Sequence, residues 1–207
     1  MTDFNDKQIE ILQVAEKLFS EHGFDGTSVR DIAKEASINI AMISYYFGSK
    51  EKLLESLIIN RISGLRLEME TLFKENLTPF EKIDRLIELY ITRINKNCGM
   101  YQIIHFEITS KKRDINYEAF NDVKKYNLQL LTNIIEEGQA KGLFVKNINV
   151  ALIPPTIMGT YFHFQMNKPL YSDLFNLKTE EDFNNYVHTD LTSHIQKTIK
   201  ALLVYEN

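Results

Sequence analysis

The segment from Thr27 to Glu51 constrains the fold of this chain more strongly than any other part of it. It predicts two short helices joined by a tight turn, with a third helix directly behind them. Thr27 or Ser28 can cap the first helix by accepting hydrogen bonds from the free N–H groups of its first turn. Apolar residues then recur with the spacing of one helical face. They are Val29, Ile32, Ala33 and Ala36.

The second predicted helix lies between Asn39, a good N-terminal cap, and Gly48, which ends it. Ile43, Tyr46 and Phe47 share its apolar face and can pack on a scaffold. The other face carries no charge. It consists of Ala41, Met42, Ser44 and Tyr45, with Ile40 near the boundary in the first turn. The short connection predicts a helix-turn-helix, and the uncharged face fits the major groove of DNA.

A further helix is predicted upstream, where apolar residues repeat at helical spacing until Gly23 ends it. The repeat comprises Ile11, Leu12, Ala15, Leu18, Phe19 and His22. Three short helices therefore share a small core before residue 48. Ser49 is the predicted cap of a fourth helix that begins at Lys50.

With these helices in place, residues 7–54 resemble the DNA-binding domain of the tetracycline-repressor (TetR) family of bacterial transcriptional regulators. The resemblance is specific because a general helix-turn-helix lacks the Phe-x-Ser-Lys-Glu capping turn. Two positions depart from the family pattern: Ser37 stands where Gly is usual, and Ser44 stands where Tyr is common. The matching residues are Ala15, Leu18, Phe19, Gly23, Thr27, Ser28, Val29, Arg30, Ile32, Ala33, Ala36, Ile38, Ile43, Tyr46, Phe47, Ser49, Lys50, Glu51 and Leu53.

The length of 207 residues allows one or two domains with a real core. We expect a DNA-binding domain at 1–48 and a helical ligand-binding and dimerisation domain at 49–207. No apolar run is long enough to cross a bilayer, and the acidic N-terminus is unlike a signal peptide. The single cysteine, Cys98, excludes an intrachain disulfide, and no Cys/His cluster has zinc spacing. A cytoplasmic protein without membrane contact is therefore expected.

The charge of the chain argues against bulk affinity for nucleic acid. The formal net charge is −4, and residues 1–52 carry six Lys or Arg against nine Asp or Glu. DNA binding must therefore depend on a few placed cations, helix N-termini and hydroxyl groups. The alternative is that the helix-turn-helix packs against protein only.

Arg30 is the first predicted DNA contact, because the family resemblance implies a base edge or a phosphate at this position. The alternative is an exposed arginine paired with Glu35 or Asp31. Lys50 lies in the first turn of a helix, where the helix dipole disfavours a cation. A DNA phosphate is a natural partner for it, and the resemblance supports that role.

The remaining predicted DNA contacts lie on the second helix of the motif and at two caps. Ala41 and Met42 can touch thymine methyl groups, Ser44 can bond to either strand, and Tyr45 can stack or reach a phosphate. The alternative for the two tyrosines is scaffold packing, which we favour for Tyr46 alone. The ten predicted residues are Ser28, Arg30, Ile40, Ala41, Met42, Ser44, Tyr45, Tyr46, Ser49 and Lys50.

The rest of the chain predicts further helices and no strand, so the expected fold class is all-α. Apolar periodicity, capping residues and glycines place their ends. Thr78 with Pro79 and Glu81 forms a capping box, and Pro154-Pro155 must start or kink a helix. The predicted spans are Lys50 to Lys74, Thr78 to Asn97, Met100 to Ser110, Tyr117 to Ala140, Asn149 to Met166 and Thr179 to Tyr205.

The helical body is rich in aromatic residues with interleaved polar groups, and the resemblance implies an apolar ligand pocket among them. The alternative for any one of them is ordinary core. His105 and His163 could in principle bind haem or a metal, but no spacing pairs them. The candidate ligand residues are Tyr90, Tyr101, Gln102, His105, Phe106, Tyr126, Tyr161 and Phe162.

The last predicted helix carries an apolar stripe that begins at Phe183 and repeats in steps of four, then three. The stripe is either internal core or part of a two-fold dimer that also uses the segment around Gly159 and Thr160. The resemblance implies a homodimer through the last two helices, which places two heads on a palindromic site. The stripe residues are Phe183, Val187, Leu191, Ile195, Ile199 and Leu202.

Together these features predict a cytoplasmic, homodimeric, ligand-responsive transcriptional repressor without enzyme activity, cofactor or metal. Its expected partners are an operator in double-stranded DNA, a second copy of itself and a small apolar or aromatic ligand. One alternative is a helical enzyme or cofactor-binding protein, although no nucleophile–base pair or Gly-rich phosphate loop supports it. The other is a protein–protein adaptor that has lost DNA binding.

Overall fold

The computed structural model describes residues 4–110, Arg113 and residues 118–204, apart from the side chain of Ile108. This part of the chain is all-α and contains no strand. Eleven α-helices, a 3₁₀ turn at Val150–Leu152 and a π-helical segment at Val187–Leu191 form it. The helices are α1 Asp6–His22, α2 Val29–Glu35, α3 Ile40–Phe47, α4 Lys50–Lys74, α5 Pro79–Lys96, α6 Cys98–Ser110, α7 Glu118–Ala140, α8 Ile153–Met166, α9 Lys168–Leu174, α10 Glu180–Tyr186 and α11 Thr192–Val204.

The chain divides into two compact units. The first contains Met1–Gly64 and Asn97–Lys124, and the second contains Leu65–Lys96 and Lys125–Asn207. The first unit thus includes α6 in addition to the helix-turn-helix, because α6 packs on α1. The boundary after residue 48 stays a prediction.

The first unit is built around the core that the apolar repeats predict. Ile11, Phe19, Ile32, Ile43 and Leu53, from four different helices, are each no more than 2% exposed. Glu16 is a buried charged residue of the same unit, and it forms an ion pair with the guanidinium of Arg61. The three short helices and the start of α4 therefore share one apolar interior, as predicted.

Side-chain caps place the helix starts. Ser28 accepts from the N–H of Asp31, and the Asp31 carboxylate accepts in return from the N–H of Ser28. Asn39 accepts from the N–H of Ala41 at 2.8 Å, and Ser49 accepts from the N–H of Lys52 at 3.2 Å. These bonds satisfy N–H groups that have no partner inside their own helix. The predicted caps at residues 28, 39, 49 and 78 are confirmed.

Ser37, which stands where the TetR pattern usually has glycine, lies in the turn of the helix-turn-helix with φ of +50°. This left-handed conformation favours glycine because a Cβ atom crowds the following carbonyl. The Ile38 N–H nevertheless donates to the Ala33 carbonyl at 2.9 Å and closes the end of α2. The chain therefore makes the expected turn at the cost of some backbone strain.

The predicted helices of the second unit are confirmed, with two differences. The segment Lys168–Leu174 forms α9, a helix that the sequence analysis did not predict and that carries Pro169 in its first turn. Proline is tolerated in the first turn of a helix, where its missing N–H would have no partner. The predicted ends at Tyr117 and Tyr205 lie outside the described residues.

The second difference is the π segment inside the last predicted helix. Residues four apart drift by about 40° around an α-helix, because one turn takes 3.6 residues. The wider π turn compensates, so that a strict step of four stays buried from Phe183 to Leu203. Leu202 was therefore wrongly assigned to the stripe: it is 52% exposed, whereas Leu203 is fully buried.

Candidate DNA-binding surface

Helix α3 presents the outer face that its sequence predicts. Ile43 and Phe47 are 2% and 7% exposed and pack into the core of the first unit. Tyr45 is 83% exposed, the largest exposed fraction among the large apolar residues described. The other residues of the outer face are exposed or half-buried, and they are Ile40, Ala41, Met42 and Ser44. The buried apolar face of α3 thus fixes the helix so that its uncharged face is exposed to solvent.

Tyr46 lies between the two faces of α3. Its ring is half-buried against the core, as the packing alternative predicts. The Tyr45 ring meets it edge-on, with 5.1 Å between ring centroids and an interplanar angle of 70°. Tyr46 therefore supports the exposed ring of Tyr45, and its own contact with DNA stays a prediction.

Arg30 is exposed on α2, and both of its alternative partners are engaged elsewhere. Glu35 pairs with Lys17 at 2.7 Å, and Asp31 accepts from the Ser28 hydroxyl at 2.6 Å and from its N–H at 2.9 Å. These hydrogen bonds, first from the Ser28 side chain and then from its backbone, lower the pKa of the Asp31 carboxyl. Among the described residues, no carboxylate lies within ion-pair distance of Arg30, which leaves its guanidinium available.

The same bonds change the expectation for Ser28. Its hydroxyl hydrogen already points to the Asp31 carboxylate, and its hydroxyl oxygen accepts from the Asp31 N–H. The Asp31 carboxylate also places a negative charge at the start of α2. A phosphate contact from the Ser28 hydroxyl stays a prediction, but it would have to displace this capping box.

Lys50 has a structural role that the sequence did not reveal. Its ammonium donates to the carbonyl oxygens of Phe24 and Thr27, each at 2.8 Å, and lies 4.1 Å from the centroid of the Phe24 ring. Two carbonyl dipoles and an aromatic face thus stabilise a cation at a helix N-terminus. One of its three N–H groups remains for the predicted phosphate.

Thr27 is a second structural residue that sequence reasoning placed only as a possible cap. It is 2% exposed, and its hydroxyl lies 2.9 Å from the Gly23 carbonyl oxygen and 3.1 Å from that of Leu18. A threonine so buried must hydrogen-bond, and the end of α1 supplies the acceptors. In the sequence, the sign of this structural role was the position of Thr27 between Gly26, in the turn, and Ser28, the cap of the next helix.

Comparison with known proteins decides the family. Residues 11–57 match the family model described as "Bacterial regulatory proteins, tetR family", and residues 60–184 match "YsiA-like protein, C-terminal region". The second match alone spans more than half of the chain. The chain belongs to the TetR family. It is a DNA-binding transcriptional regulator, as the resemblance predicts.

Three similar proteins illustrate the relationship. The probable transcriptional regulator YttP of Bacillus subtilis is 34% identical over 135 residues, an alignment that spans 63% of this chain and 63% of YttP, less than two thirds of either. The fatty acid metabolism regulator protein of the same organism is 26% identical over 154 residues, 74% of this chain and 79% of that protein. The crystal structure of FadR from Bacillus subtilis in complex with stearoyl-CoA has a TM-score of 0.68 at 21% identity. That match covers 94% of this chain and 98% of FadR, and it establishes the fold.

The eight candidate ligand residues of this TetR-family chain are divided equally between the two units. In the second unit, Tyr90 and Tyr161 are buried core residues, and the Tyr161 hydroxyl donates to Asn95 Oδ1 at 2.9 Å. Phe162 packs edge-on against Tyr161, and the Tyr126 ring lies 3.9 Å from the Arg66 guanidinium carbon. For these four residues the structure shows packing roles. Their contact with a ligand stays a prediction.

The other four candidates lie on α6 in the first unit. Gln102 and Phe106 line a cleft of about 370 Å³, while Tyr101 and His105 are not among its lining residues. His105 is exposed. Within the described ranges, no group of three or more His, Cys, Asp or Glu is placed to hold a metal ion. No described helix is sufficiently long and apolar to span a bilayer.

A second cleft, of about 580 Å³, lies in the second unit among α8, α9, α10, the π segment and α11. None of the eight candidate residues lines it. Its lining residues are Gly159, Thr160, His163, Phe164, Tyr171, Phe175, Tyr186, Asp190, Leu191 and His194. The sequence indicated this region through Gly159 and Thr160 as a possible dimer contact, through His163 as a possible ligand of haem or a metal, and through Leu191 as part of the apolar stripe.

Replacing Lys50 by Met should lower the free energy of unfolding of the DNA-free protein by about 2 kcal/mol, because two charge-assisted hydrogen bonds to carbonyl groups are lost. Urea unfolding measures this loss. Lys34→Met is the control, since Lys34 is an exposed lysine on α2, and it should change stability by less than about 0.5 kcal/mol. Equal stabilities of the two variants would contradict the structural role.

Proposed function

We propose that this regulator is a repressor that binds a palindromic operator as a homodimer and releases it when an apolar ligand binds. The observation that carries the proposal is the outer face of α3. That face is uncharged, projects the Tyr45 ring, and is fixed from behind by buried Ile43 and Phe47. A helix held in this way can enter a major groove without rearrangement.

The proposed contacts with base edges are several weak ones from the outer face of α3 and one strong one from Arg30. Ala41 and Met42 offer apolar contact to thymine methyl groups, and Ser44 offers a hydroxyl to either strand. Arg30, which has no ion-pair partner among the described residues, supplies the side chain suited to bidentate contact with guanine. Few cations surround it, so the affinity should depend on salt less steeply than that of a broadly basic domain.

Arg30→Ala and Tyr45→Ala should each weaken operator binding, by roughly five- to a hundredfold if each removes one good contact. Arg30→Ala should also relax the preference at one base pair. The operator is first selected from random DNA with the native protein, and fluorescence anisotropy then gives the affinities. Gln13→Ala, an exposed change on α1, is the control. If both variants keep helicity and native affinity, α3 does not read the operator in the way proposed.

The dimer is proposed to form through α8 and the helices α10–α11. Leu191 and Ile195 cannot supply its surface, because they are 6% and 2% exposed inside the protomer. The stripe of the last helix is therefore internal core, one of the two roles that the sequence allowed. The open cleft at Gly159 and Thr160 offers a groove instead, since small residues let two helices approach closely.

An exposed apolar ridge extends this surface. Met166, Leu170 and Leu174 follow in steps of four from the end of α8 along α9, and they are 76%, 54% and 61% exposed. A row of large apolar residues in water favours a protein contact over solvent. In a two-fold dimer each copy contributes the same patch, so the ridge of each copy would be covered by the corresponding patch of the other.

Gly159→Arg should give a folded monomer that no longer binds the operator. A Cβ atom at this position meets nothing within 4 Å inside the protomer, so the substitution causes no clash at the backbone, while its long charged side chain would obstruct a second copy. Gly138→Ala is a matched contrast: its Cβ would lie 2.1 Å from the Phe144 ring, so that variant should lose stability instead. Sedimentation measures the oligomeric state, circular dichroism measures folding and stability, and fluorescence anisotropy measures operator binding. A Gly159→Arg protein that stays dimeric would place the interface elsewhere.

The ligand is proposed to carry a long apolar chain. The support comes from the relatives, of which one is a fatty acid metabolism regulator and another, FadR, is in complex with stearoyl-CoA. Helix α4 runs without interruption from Lys50 to Lys74 and has residues in both units, so a change in its direction can reach the head. Heads that no longer match the ~34 Å repeat of the major groove would release DNA.

Stearoyl-CoA should therefore weaken operator binding, whereas coenzyme A alone should not. Coupling of this kind amounts to ~1–3 kcal/mol and is reciprocal, so operator DNA should weaken stearoyl-CoA binding by the same factor. Titration calorimetry with and without DNA measures both affinities. Tight binding with identical affinity in both titrations would rule out release by this ligand.

A further inference from the structure

The cleft of about 370 Å³ in the first unit is formed by the end of α1, the turn that follows it, and one side of α6. Phe24 and Gly26 come from the turn, and Gln102, Phe106 and Glu107 come from α6. Arg113 also lines it. The cleft therefore adjoins the turn whose carbonyl groups hold Lys50, and it is separate from the cleft of the second unit.

Glu107 is the unusual residue of this cleft. It is 2% exposed, and one of its carboxylate oxygens, Oε1, accepts from the Arg113 guanidinium. The other oxygen, Oε2, is buried and has no hydrogen-bond partner among the described residues. A buried carboxylate oxygen without a donor loses its hydration and gains nothing in return. The site thus lacks one donor.

The charges of the cleft favour a cation as that donor. The carboxylates of Asp25 and Glu107 oppose a single guanidinium, that of Arg113, which bonds to both. Arg113 is fixed further by the Phe24 ring, whose centroid lies 4.2 Å from the guanidinium carbon. The Arg113 cation is thus already engaged, and the buried carboxylate of Glu107 is the group of this cleft that favours a cation.

Apolar surface in the same cleft suits an aromatic body. Phe106 is 56% exposed, which is unusual for phenylalanine on a helix that also contributes to a core. Gln102 beside it is exposed and adds an amide group at the rim. An aromatic ring can stack on Phe106 while a charged group reaches Glu107.

We propose that this cleft is a second effector site, which binds a small arylalkylamine. The ammonium group donates to Glu107 Oε2, and the ring packs on Phe106. Because Phe24 and Asp25 belong to the turn that precedes α2, an occupied cleft stiffens this turn and alters operator affinity. The site lies wholly within the first unit, and Gln102 and Phe106 are two of the ligand residues predicted from the sequence.

The test is an NMR titration of the full-length protein, without DNA, with 2-phenylethylamine. A site of this size should bind so small a molecule with a dissociation constant of about 1 mM. We expect saturable shifts of the backbone amides of residues 23–26 and 99–107. Phenylacetate, which has a similar body but carries a carboxylate, should not bind because Glu107 repels it.

Two variants locate the site. Glu107→Gln keeps the shape but removes the charge, and it should weaken amine binding by about tenfold. Gln102→Trp fills the rim from an exposed position and should abolish binding, whereas Gln129→Trp, an exposed change on α7, should not. Thermal unfolding confirms that each variant is folded.

Saturable binding of the amine that Gln102→Trp abolishes and Glu107→Gln weakens supports the site. Absence of saturation, shifts confined to other residues, or equal binding of phenylacetate overturns it. Because no DNA is present, these outcomes are decided separately from the proposed repressor function.

Discussion

The hydrogen bonds from the Lys50 ammonium to the carbonyl oxygens of Phe24 and Thr27 fix the geometry of the DNA-binding helices α1 to α3. It joins the first turn of α4 to the connection between α1 and α2, and so sets where α2 begins. Thr27 secures the same connection from the other side through its hydroxyl. With α2 anchored at both points, the turn at Ser37 determines how α3 leaves the scaffold. The exposed face of α3 is thus positioned by these polar contacts together with the buried side chains of Ile43 and Phe47.

This arrangement also explains how an acidic head can serve DNA. At the start of α2 the Asp31 carboxylate already occupies the place that an anion would take, and the Ser28 hydroxyl is bonded to it. At the start of α4 the Lys50 ammonium is largely used inside the protein. Few groups therefore remain for phosphates, which is why we propose that recognition depends on the outer face of α3 and on Arg30, through shape and apolar contact more than through net charge.

In the second unit, a long apolar stripe has to be buried along one side of the last helical segment. A stripe in steps of four cannot stay on one side of a regular α-helix, and the π segment Val187–Leu191 corrects its drift. The stripe is therefore buried as core inside the protomer. The surface that we propose for a second copy is instead the cleft at Gly159 and the exposed apolar residues of α9.

The sequence by itself determined the helices, their caps and the helix-turn-helix, because these depend on residues within a few positions of one another. Asn39 and Ser49 cap where their side chains can reach the next turn, and Ile43 and Phe47 are buried because they share a helical face. Tertiary structure alone decided the partners of Lys50, the orphan oxygen of Glu107 and the burial of Tyr90 and Tyr161 as core residues. Those depend on contacts between groups far apart in the chain, 26 positions for Lys50 and Phe24, and no local pattern encodes which distant carbonyl or ring a side chain will meet.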